Sequence, residues 1–257
     1  MTSVPSAAGA PSETPVLPDL LNLCAAALGA ADDLYREARV SVGALVKPEG
    51  RIDSVALDAN QFAVHGFAWF ATYVESLREM LGWARRLEDE NRLAELETLI
   101  LQAAFGEYLS QMTGGIAMSQ VEVVRPADMG VGDGAITAFE TPAVKALCAH
   151  GNTAAVRTRI AELITDGLDT GNFGDLGLDE TLGMIRDQFH RFADEQVAPF
   201  AHDWHLKDDF IPMSVIDQMS ELGVFGLTIP EEHGGLGLGK IAMCVVTEEL
   251  SRGYIGV

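Results

Sequence analysis

The sequence predicts an all-α protein. From Pro18 onward, apolar residues recur at steps of three and four, the spacing that places them on one face of a helix. Runs of alternating polar and apolar residues, which would indicate half-buried strands, are nearly absent. The chain has 257 residues, 48% of them hydrophobic, which is enough for one large core or two of ordinary size.

Four helices are predicted before residue 169. Their expected bounds are about 18–46, 58–87, 92–112 and 142–166. The second helix begins near Asp58, where an Asp-x-x-Gln pattern suits a capping box. Its inward-facing stripe is expected to contain Phe62, Gly66, Trp69, Phe70, Tyr73, Leu77, Met80, Ala84 and Leu87. A looser connection with Gly130, Gly132 and Gly134 precedes the fourth helix, which ends before Gly167. Four helices joined by short turns favour a bundle.

A glycine-rich stretch is the predicted domain boundary. Glycines at 171, 174 and 177 interrupt the apolar period there. We therefore expect a disordered tail over 1–17, a helical extension over 18–168, a linker over 169–178, and a second helical domain, incomplete, over 179–257.

The second domain is predicted to contain three helices. The first is amphipathic and is expected to stop at Pro199, because proline has no backbone N–H to continue the helix. A short helix from about residue 212 is expected to close at Gly223, followed by an extended stretch over 224–230. The last helix is predicted over 239–253.

The charge balance excludes several classes of partner. The chain has 17 basic and 38 acidic residues, a formal charge of −21, and no basic stripe, so a nucleic acid partner is not expected. The longest strongly apolar stretch, 62–71, is too short to span a bilayer, so no membrane partner is expected. The N-terminal tail contains neither Lys nor Arg and no signal-length apolar stretch, which indicates a cytoplasmic protein.

Cysteine and histidine spacing gives no metal site. Cys24, Cys148 and Cys244 lie far apart with no CxxC pair, so we expect buried thiols in a reducing compartment. His202 and His205 have the spacing of two ligands on a helix, but a proline just before them argues against a continuous helix there. We interpret this pair as part of a solvated loop.

Three phrases near the end of the chain resemble the N-terminal α-domain of the acyl-CoA dehydrogenase family. They are Phe189-His-Arg-Phe-Ala-Asp-Glu-Gln-Val-Ala-Pro199, Glu221-Leu-Gly-Val-Phe-Gly-Leu-Thr-Ile-Pro-Glu-Glu-His-Gly-Gly235 and Glu248-Glu-Leu-Ser-Arg252. The middle phrase is the most specific, because a helix end, a glycine cap, an apolar stretch and a paired-glycine turn follow in order. The resemblance covers Met184 to Gly253, roughly the last third of the chain.

The resemblance implies a flavoenzyme of which this chain is a truncated or split piece. Members of the family have an α-domain, a β-domain and a C-terminal helical domain, and FAD is bound mainly through the last two. A glutamate of the C-terminal domain removes the α-proton of the substrate while a hydride passes to the flavin. Electrons then pass to an electron-transferring flavoprotein. We therefore assign no catalytic and no cofactor-binding residue here, and expect a homo-oligomer.

Residues 18–168 resemble the helical extension of family members that act on methylsuccinyl-CoA in the ethylmalonyl-CoA route. The substrate so implied is a short, branched acyl-CoA with a second carboxylate, methylsuccinyl-CoA, oxidised to mesaconyl-CoA. The substrate-binding candidates are Tyr254 and Arg252, because the family's helix continues from about here along the acyl pocket. A buried carboxylate needs a cation or several donors. We expect Tyr254 as a pocket wall in preference to Arg252 as a clamp, since Arg252 in a last helical turn also complements the helix dipole.

Other motifs have plainer interpretations. Residues 234–240 fit the pattern of a phosphate-binding loop, but Ile241 stands where that loop needs Ser or Thr, so we interpret it as a structural turn. The acids Glu107, Glu248 and Glu249 are interpreted as helix-surface residues.

A second class of function stays open. The chain could be a non-catalytic helical interaction or assembly module that partners a separate catalytic chain. The reading frame after Val257 discriminates the two, because a continuation into a β-domain favours the enzyme and a stop codon favours the module.

Overall fold

The computed structural model describes residues 15–168 and 173–257. The predictions for 1–14 and 169–172 lie outside the described residues. The chain divides into two compact units, Met1–Gly177 (unit 1) and Leu178–Val257 (unit 2). Helices dominate both, so the all-α class is confirmed. The finer division into tail, extension and linker stays a prediction.

Unit 1 is built from helices and one small hairpin. The helices are α1 (Leu20–Val46), α2 (Ser54–Ala59), α3 (Gln61–Asp89), α4 (Glu95–Gly114), α5 (Asp133–Phe139), α6 (Pro142–His150) and α7 (Ala154–Gly167). The antiparallel strands β1 (Ile116–Ala117) and β2 (Val123–Val124) pair Ile116 with Val124 and Ala117 with Val123. A 3-10 turn, Pro126–Met129, follows.

The core of unit 1 lies between α1, α3, α4 and α6. Its largest fully buried side chains include Phe70, Phe105, Phe139, Leu34, Leu77, Leu101, Leu109, Met112 and Met129. Cys24 is buried in this core, and burial raises the pKa of its thiol to about 12, so it stays un-ionised at neutral pH. The expectation of buried thiols is wrong for Cys244, which is exposed.

The helix predicted over 142–166 is two helices, because the backbone breaks where α4 passes close by. A Cβ on Gly106 of α4 would lie 2.7 Å from the Asn152 nitrogen and 2.8 Å from the Gly151 Cα. The chain turns there, and Thr153 caps α7 by accepting a hydrogen bond from the Val156 amide at 3.3 Å. The contact between Gly106 and Gly151 therefore fixes the angle between α4 and the turn.

The α3 stripe is buried over most of its length. Phe70 and Leu77 are inward, as predicted, whereas Phe62 is 42% exposed and was wrongly placed in the stripe. The helix also starts later than predicted, at Gln61, because Asn60 separates it from α2. The connection predicted to be loose, around Gly130, Gly132 and Gly134, contains α5, and the hairpin and the 3-10 turn precede it.

A buried glutamine fixes the start of the described chain. Gln102 of α4 is fully buried, and its side-chain oxygen accepts a hydrogen bond from the Leu17 amide at 2.7 Å. Its side-chain nitrogen donates to the Pro15 carbonyl at 3.0 Å. Residues 15–17, which we assigned to the tail, are therefore held against unit 1.

The end of the predicted linker is also held by unit 1. The Asp175 carboxylate accepts from Arg92 Nε at 2.8 Å and Nη2 at 2.6 Å. Its backbone carbonyl accepts from Trp83 Nε1 at 3.1 Å, and its amide donates to Glu97 Oε1 at 2.6 Å. Residues 173–177 therefore behave as part of unit 1.

Unit 2 is a second helical unit with its own core. Its helices are α8 (Glu180–Phe192), α9 (Ala198–Lys207), α10 (Met213–Glu221) and α11 (Gly239–Gly253). Asp179 caps α8 by accepting from the Leu182 amide at 2.8 Å. The core residues are Phe189, Phe192, Val197, Val215, Met219, Leu227, Val246 and Leu250.

Pro199 does not stop the helix, contrary to the sequence prediction. One π-helical turn, Ala193–Val197, joins α8 to α9, and the Ala198 amide donates to the Ala193 carbonyl. The wider turn accommodates a residue that has no N–H to donate, so the chain stays helical from Glu180 to Lys207. We call Ala193–Val197 the π-turn.

The stretch over 224–230 is not extended as predicted. It starts with a 3-10 turn, Val224–Gly226, after Gly223, whose φ is +79°. The carbonyls of Gly226 and Leu227 accept from the amides of Leu236 and Leu238, both at 2.9 Å. These hydrogen bonds pair the stretch with the glycine-rich turn that follows it, so its backbone is folded and not extended.

Candidate functional site

Five polar side chains join α8, the π-turn and α11. Arg186 and His190 lie on α8, Asp194 lies in the π-turn, and Glu249 and Arg252 lie on the last two turns of α11. We call this group the α8–α11 clasp. Within it, i,i+4 spacing places Arg186, His190 and Asp194 on one helical face.

The Glu249 carboxylate is the centre of the clasp. Arg186 Nε donates to Oε1 at 3.0 Å, and Arg252 Nε donates to Oε2 at 2.9 Å. His190 Nδ1 lies 2.8 Å from Oε2. Arg252 also pairs with Asp194 through Nη1 at 2.8 Å and donates from Nη2 to the His190 carbonyl at 3.2 Å. Two guanidinium groups and two carboxylates therefore balance in charge.

Burial makes these contacts necessary. The Glu249 side chain is 3% exposed, whereas the other clasp side chains are 40–48% exposed. Burial alone would raise the pKa of the Glu249 carboxyl, but hydrogen bonds from Arg252 and His190, with the charge of Arg186, hold it below its ordinary value. The carboxylate is ionised at neutral pH and couples α8 to α11.

The lowered pKa predicts an acid-dependent stability of unit 2. Glu249 has an ordinary pKa of 4.5 and a lower one in the folded chain, so its contribution is fully present above 4.5. That contribution is lost as the pH falls through the folded pKa. We expect the free energy of unfolding to fall less between pH 6 and 3 in Glu249→Gln than in the wild type.

Urea unfolding followed by Trp204 fluorescence measures this difference. Trp204 belongs to unit 2, and both proteins would carry Trp69→Phe and Trp83→Phe so that only unit 2 reports. Parallel acid dependence of the two proteins would show that folding does not lower the pKa of Glu249.

The predicted substrate residues lie at the end of α11. Arg252 is in the last turn, with its guanidinium bound to Glu249 and Asp194. Tyr254 follows the helix in an extended conformation and packs against Trp204, with ring centroids 6.3 Å apart. Gly253 separates the two residues in sequence. The Arg252 side chain is bound within the clasp, and the Tyr254 side chain packs against an aromatic ring.

The other candidates do not gather into a site. His202 and His205 lie on α9, so their loop interpretation is wrong, and both are exposed. Glu107 and Glu248 are exposed as expected. Among residues 15–168 and 173–257, no group of three or more His, Cys, Asp or Glu could hold a metal ion. No helix in this part of the chain has the length and apolarity needed to cross a membrane.

The glycine-rich turn before α11 shows backbone reasons for its glycines. Gly234, Gly237 and Gly239 have φ values of +82°, +60° and +79°, which side chains rarely adopt. A Cβ on Gly235 would lie 2.1 Å from the Ile229 carbonyl oxygen. These contacts support the interpretation of 234–240 as a structural turn.

Comparison with known proteins identifies unit 2. Residues 179–257 match the model of the acyl-CoA dehydrogenase N-terminal domain. Unit 2 belongs to that family. Glu249 and Arg252, the clasp residues of α11, fall in the Glu-Glu-Leu-Ser-Arg phrase of this acyl-CoA dehydrogenase domain.

Relatives of two kinds are similar to the chain. A (2S)-methylsuccinyl-CoA dehydrogenase of Cereibacter sphaeroides is 54% identical over 95% of this chain and 44% of its own length. A glutaryl-CoA dehydrogenase of Desulfococcus multivorans is 38% identical over 31% of the chain and 21% of its own length. A mitochondrial isovaleryl-CoA dehydrogenase of Oryza sativa subsp. japonica is 35% identical over 31% of the chain and 20% of its own length. The chain spans less than half the length of these relatives.

Glu249 is the site residue of this acyl-CoA dehydrogenase domain that we missed. We interpreted it as a helix-surface acid, which is wrong, because its side chain is buried. A signal was present, since Arg186, His190 and Asp194 recur every four residues and Arg252 follows Glu249 by three. What was missing is the pairing of α8 with α11, which helical spacing does not predict.

Proposed function

We propose that the whole protein is a flavin-dependent acyl-CoA dehydrogenase that converts methylsuccinyl-CoA to mesaconyl-CoA. The observation that carries the proposal is the similarity to a methylsuccinyl-CoA dehydrogenase over 95% of the chain. This match is longer than unit 2, so it includes most of unit 1. The glutaryl-CoA and isovaleryl-CoA relatives match only 31% of the chain, so they support the reaction class but not the substrate.

FAD is the proposed cofactor, and it would accept the hydride. One groove of the described residues is a poor fit for it. A groove of about 740 Å³ at α1 and α5 is lined by Asp33 and Glu37, whose charge opposes a pyrophosphate, and its Arg36 is paired with Asp33. We therefore propose that the whole protein binds FAD mainly through parts other than the described residues.

Tyr254 is the better supported of the two substrate candidates. Its side chain is half-buried just after α11 and packs on Trp204, a contact that a pocket wall can keep. Arg252 would have to leave two carboxylates before it could bind a third, which would leave the buried charge of Glu249 with fewer partners. We propose Tyr254 as pocket wall and Arg252 as part of the clasp.

The remaining features of the proposal concern partners. We propose that the whole protein is a cytoplasmic homo-oligomer that passes electrons to an electron-transferring flavoprotein. Unit 1 is proposed to be structural or interfacial, because its described polar network, from Tyr73 through Gln111 to Glu107 and Asn152, joins its own helices.

A substrate panel tests the proposed function. The whole protein would be assayed by reduction of an artificial electron acceptor with methylsuccinyl-, glutaryl-, butyryl- and isobutyryl-CoA. We expect kcat/KM for methylsuccinyl-CoA to exceed that for butyryl-CoA by about a hundredfold or more, because a site built for a carboxylate leaves its polar groups unpaired without one.

Two results would contradict the proposal at different levels. Preference for the monocarboxylic thioesters would overturn the substrate and leave the reaction class standing. Absence of any acyl-CoA oxidation by a folded, flavin-loaded protein would overturn the reaction class and favour the interaction module.

A further inference from the structure

We propose that Glu249 is a positioning residue, which fixes the last turn of α11 on the π-turn and thereby sets the place of Tyr254. The inference deepens the proposed function, since it takes Tyr254 as the wall of the acyl pocket. In this proposal the Glu249 carboxylate does not contact the substrate. It acts only through the residues that follow it in the chain.

The clasp acts on the turn that immediately precedes Tyr254. Glu249 and Arg252 are separated by one helical turn, and Arg252 is followed by Gly253 and then Tyr254. The Tyr254 amide donates to the Leu250 carbonyl at 3.1 Å, which ties its backbone to the same turn. A shift of the Glu249 turn therefore moves Tyr254 with it.

The last turn of α11 packs against the π-turn. A Cβ on Gly253 would lie 3.2 Å from the Ala193 Cβ and 3.3 Å from the Val197 Cβ. Both partners are fully buried, so α11 ends in tight contact with the π-turn. Because of this close packing and the hydrogen bonds of the clasp, the end of α11 has little freedom to move relative to the π-turn.

The last two residues of α11 and the residue that follows them thus contact one continuous helical rod. Arg252 pairs with Asp194 of the π-turn, Gly253 packs on it, and Tyr254 packs on Trp204 of α9. Glu249 is the residue of this contact that is both buried and charged. One carboxylate oxygen accepts a hydrogen bond from Arg186 of α8, and the other accepts one from Arg252 of α11. Charge-assisted bonds of this kind are the strong ones in a protein interior.

The decisive variant is Glu249→Gln in the whole protein, because it keeps the size of the side chain and removes its charge. We expect KM for the best acyl-CoA of the panel to rise about tenfold while kcat changes less than about threefold, since the base and cofactor are untouched. The matched control is Glu248→Gln, an exposed neighbour on the same helix, which should leave both constants unchanged.

Coupling to Tyr254 distinguishes positioning from a general loss of stability. If Glu249 acts through Tyr254, Tyr254→Ala raises KM, and adding Glu249→Gln to it raises KM little further. Additive effects of the two substitutions would overturn the proposal. Should Glu249→Gln fail to fold, Arg186→Gln removes one donor and leaves Glu249 paired with Arg252, and an unchanged KM in that folded variant would equally overturn it.

Hydrogen exchange separates this inference from the proposed function. In Glu249→Gln, but not in Glu248→Gln, amides 250–254 are expected to exchange faster while the amides of α10 keep the wild-type rate. That result, obtained without substrate, would support positioning even if no acyl-CoA were oxidised by the wild type. Equal exchange in both variants would refute it whatever the substrate panel gives.

Discussion

Replacing Phe189 by alanine is expected to destabilise unit 2 strongly and to leave the stability of unit 1 unchanged. Phe189 is 3% exposed in the core of unit 2, and truncation of a buried phenylalanine costs about 3–5 kcal/mol. A domain of this size has roughly 5–15 kcal/mol of stability in total, so the loss is a large share of it. Hydrogen exchange resolved by mass spectrometry should show lost protection across 178–257 only.

Phe210→Ala is the matched control for this experiment. Phe210 is the same residue type in the same unit and is 97% exposed, so its truncation should leave exchange unchanged. Loss of protection in unit 1 as well as unit 2 after Phe189→Ala would contradict the prediction that the extension and the second domain fold separately.

Replacing Gly106 by alanine is expected to destabilise unit 1 by about 2–3 kcal/mol, because a new Cβ would overlap backbone that cannot move aside. The clash is with the Asn152 nitrogen at 2.7 Å and the Gly151 Cα at 2.8 Å. Thermal unfolding followed by circular dichroism should register a lower Tm for the transition of unit 1.

Gly29→Ala in α1 is the control. A Cβ there meets nothing within 4 Å, so the substitution should be neutral or stabilise by up to about 1 kcal/mol through helix propensity. A Gly106→Ala protein as stable as Gly29→Ala would show that α4 and the Gly151 turn can separate at little cost.

The elements that sequence spacing predicted well are those whose apolar stripe is long. α1 and α11 end where predicted, because Lys47, Pro48, Glu49 and Gly50 follow Val46, and α11 ends on a glycine, Gly253. The break between α6 and α7 was missed, because it depends on contact with α4 at Gly106. The two segments are distant in sequence, since Glu107 of α4 and Asn152 of the break are 45 residues apart. Spacing along one helix does not contain such contacts between helices.

The candidate site shows the same limit. Arg252 was placed correctly in the last turn of a helix, because capping residues are local signals. The burial of Glu249 was not predicted, because it depends on α8 lying against α11. Pro199 was misread for a different reason, since a missing N–H can be absorbed by widening one turn instead of ending the helix.

The π-turn also bears on chain length. A π-helical turn is in effect one residue inserted into an α-helix, and the wider turn absorbs the added residue. Deleting one residue within Ala193–Val197 would restore regular α-helical bonding and place the ring of Pro199 against the carbonyl one turn earlier. The helical rod that carries Trp204 to Tyr254 therefore depends on the number of residues before Pro199 as well as on their identity.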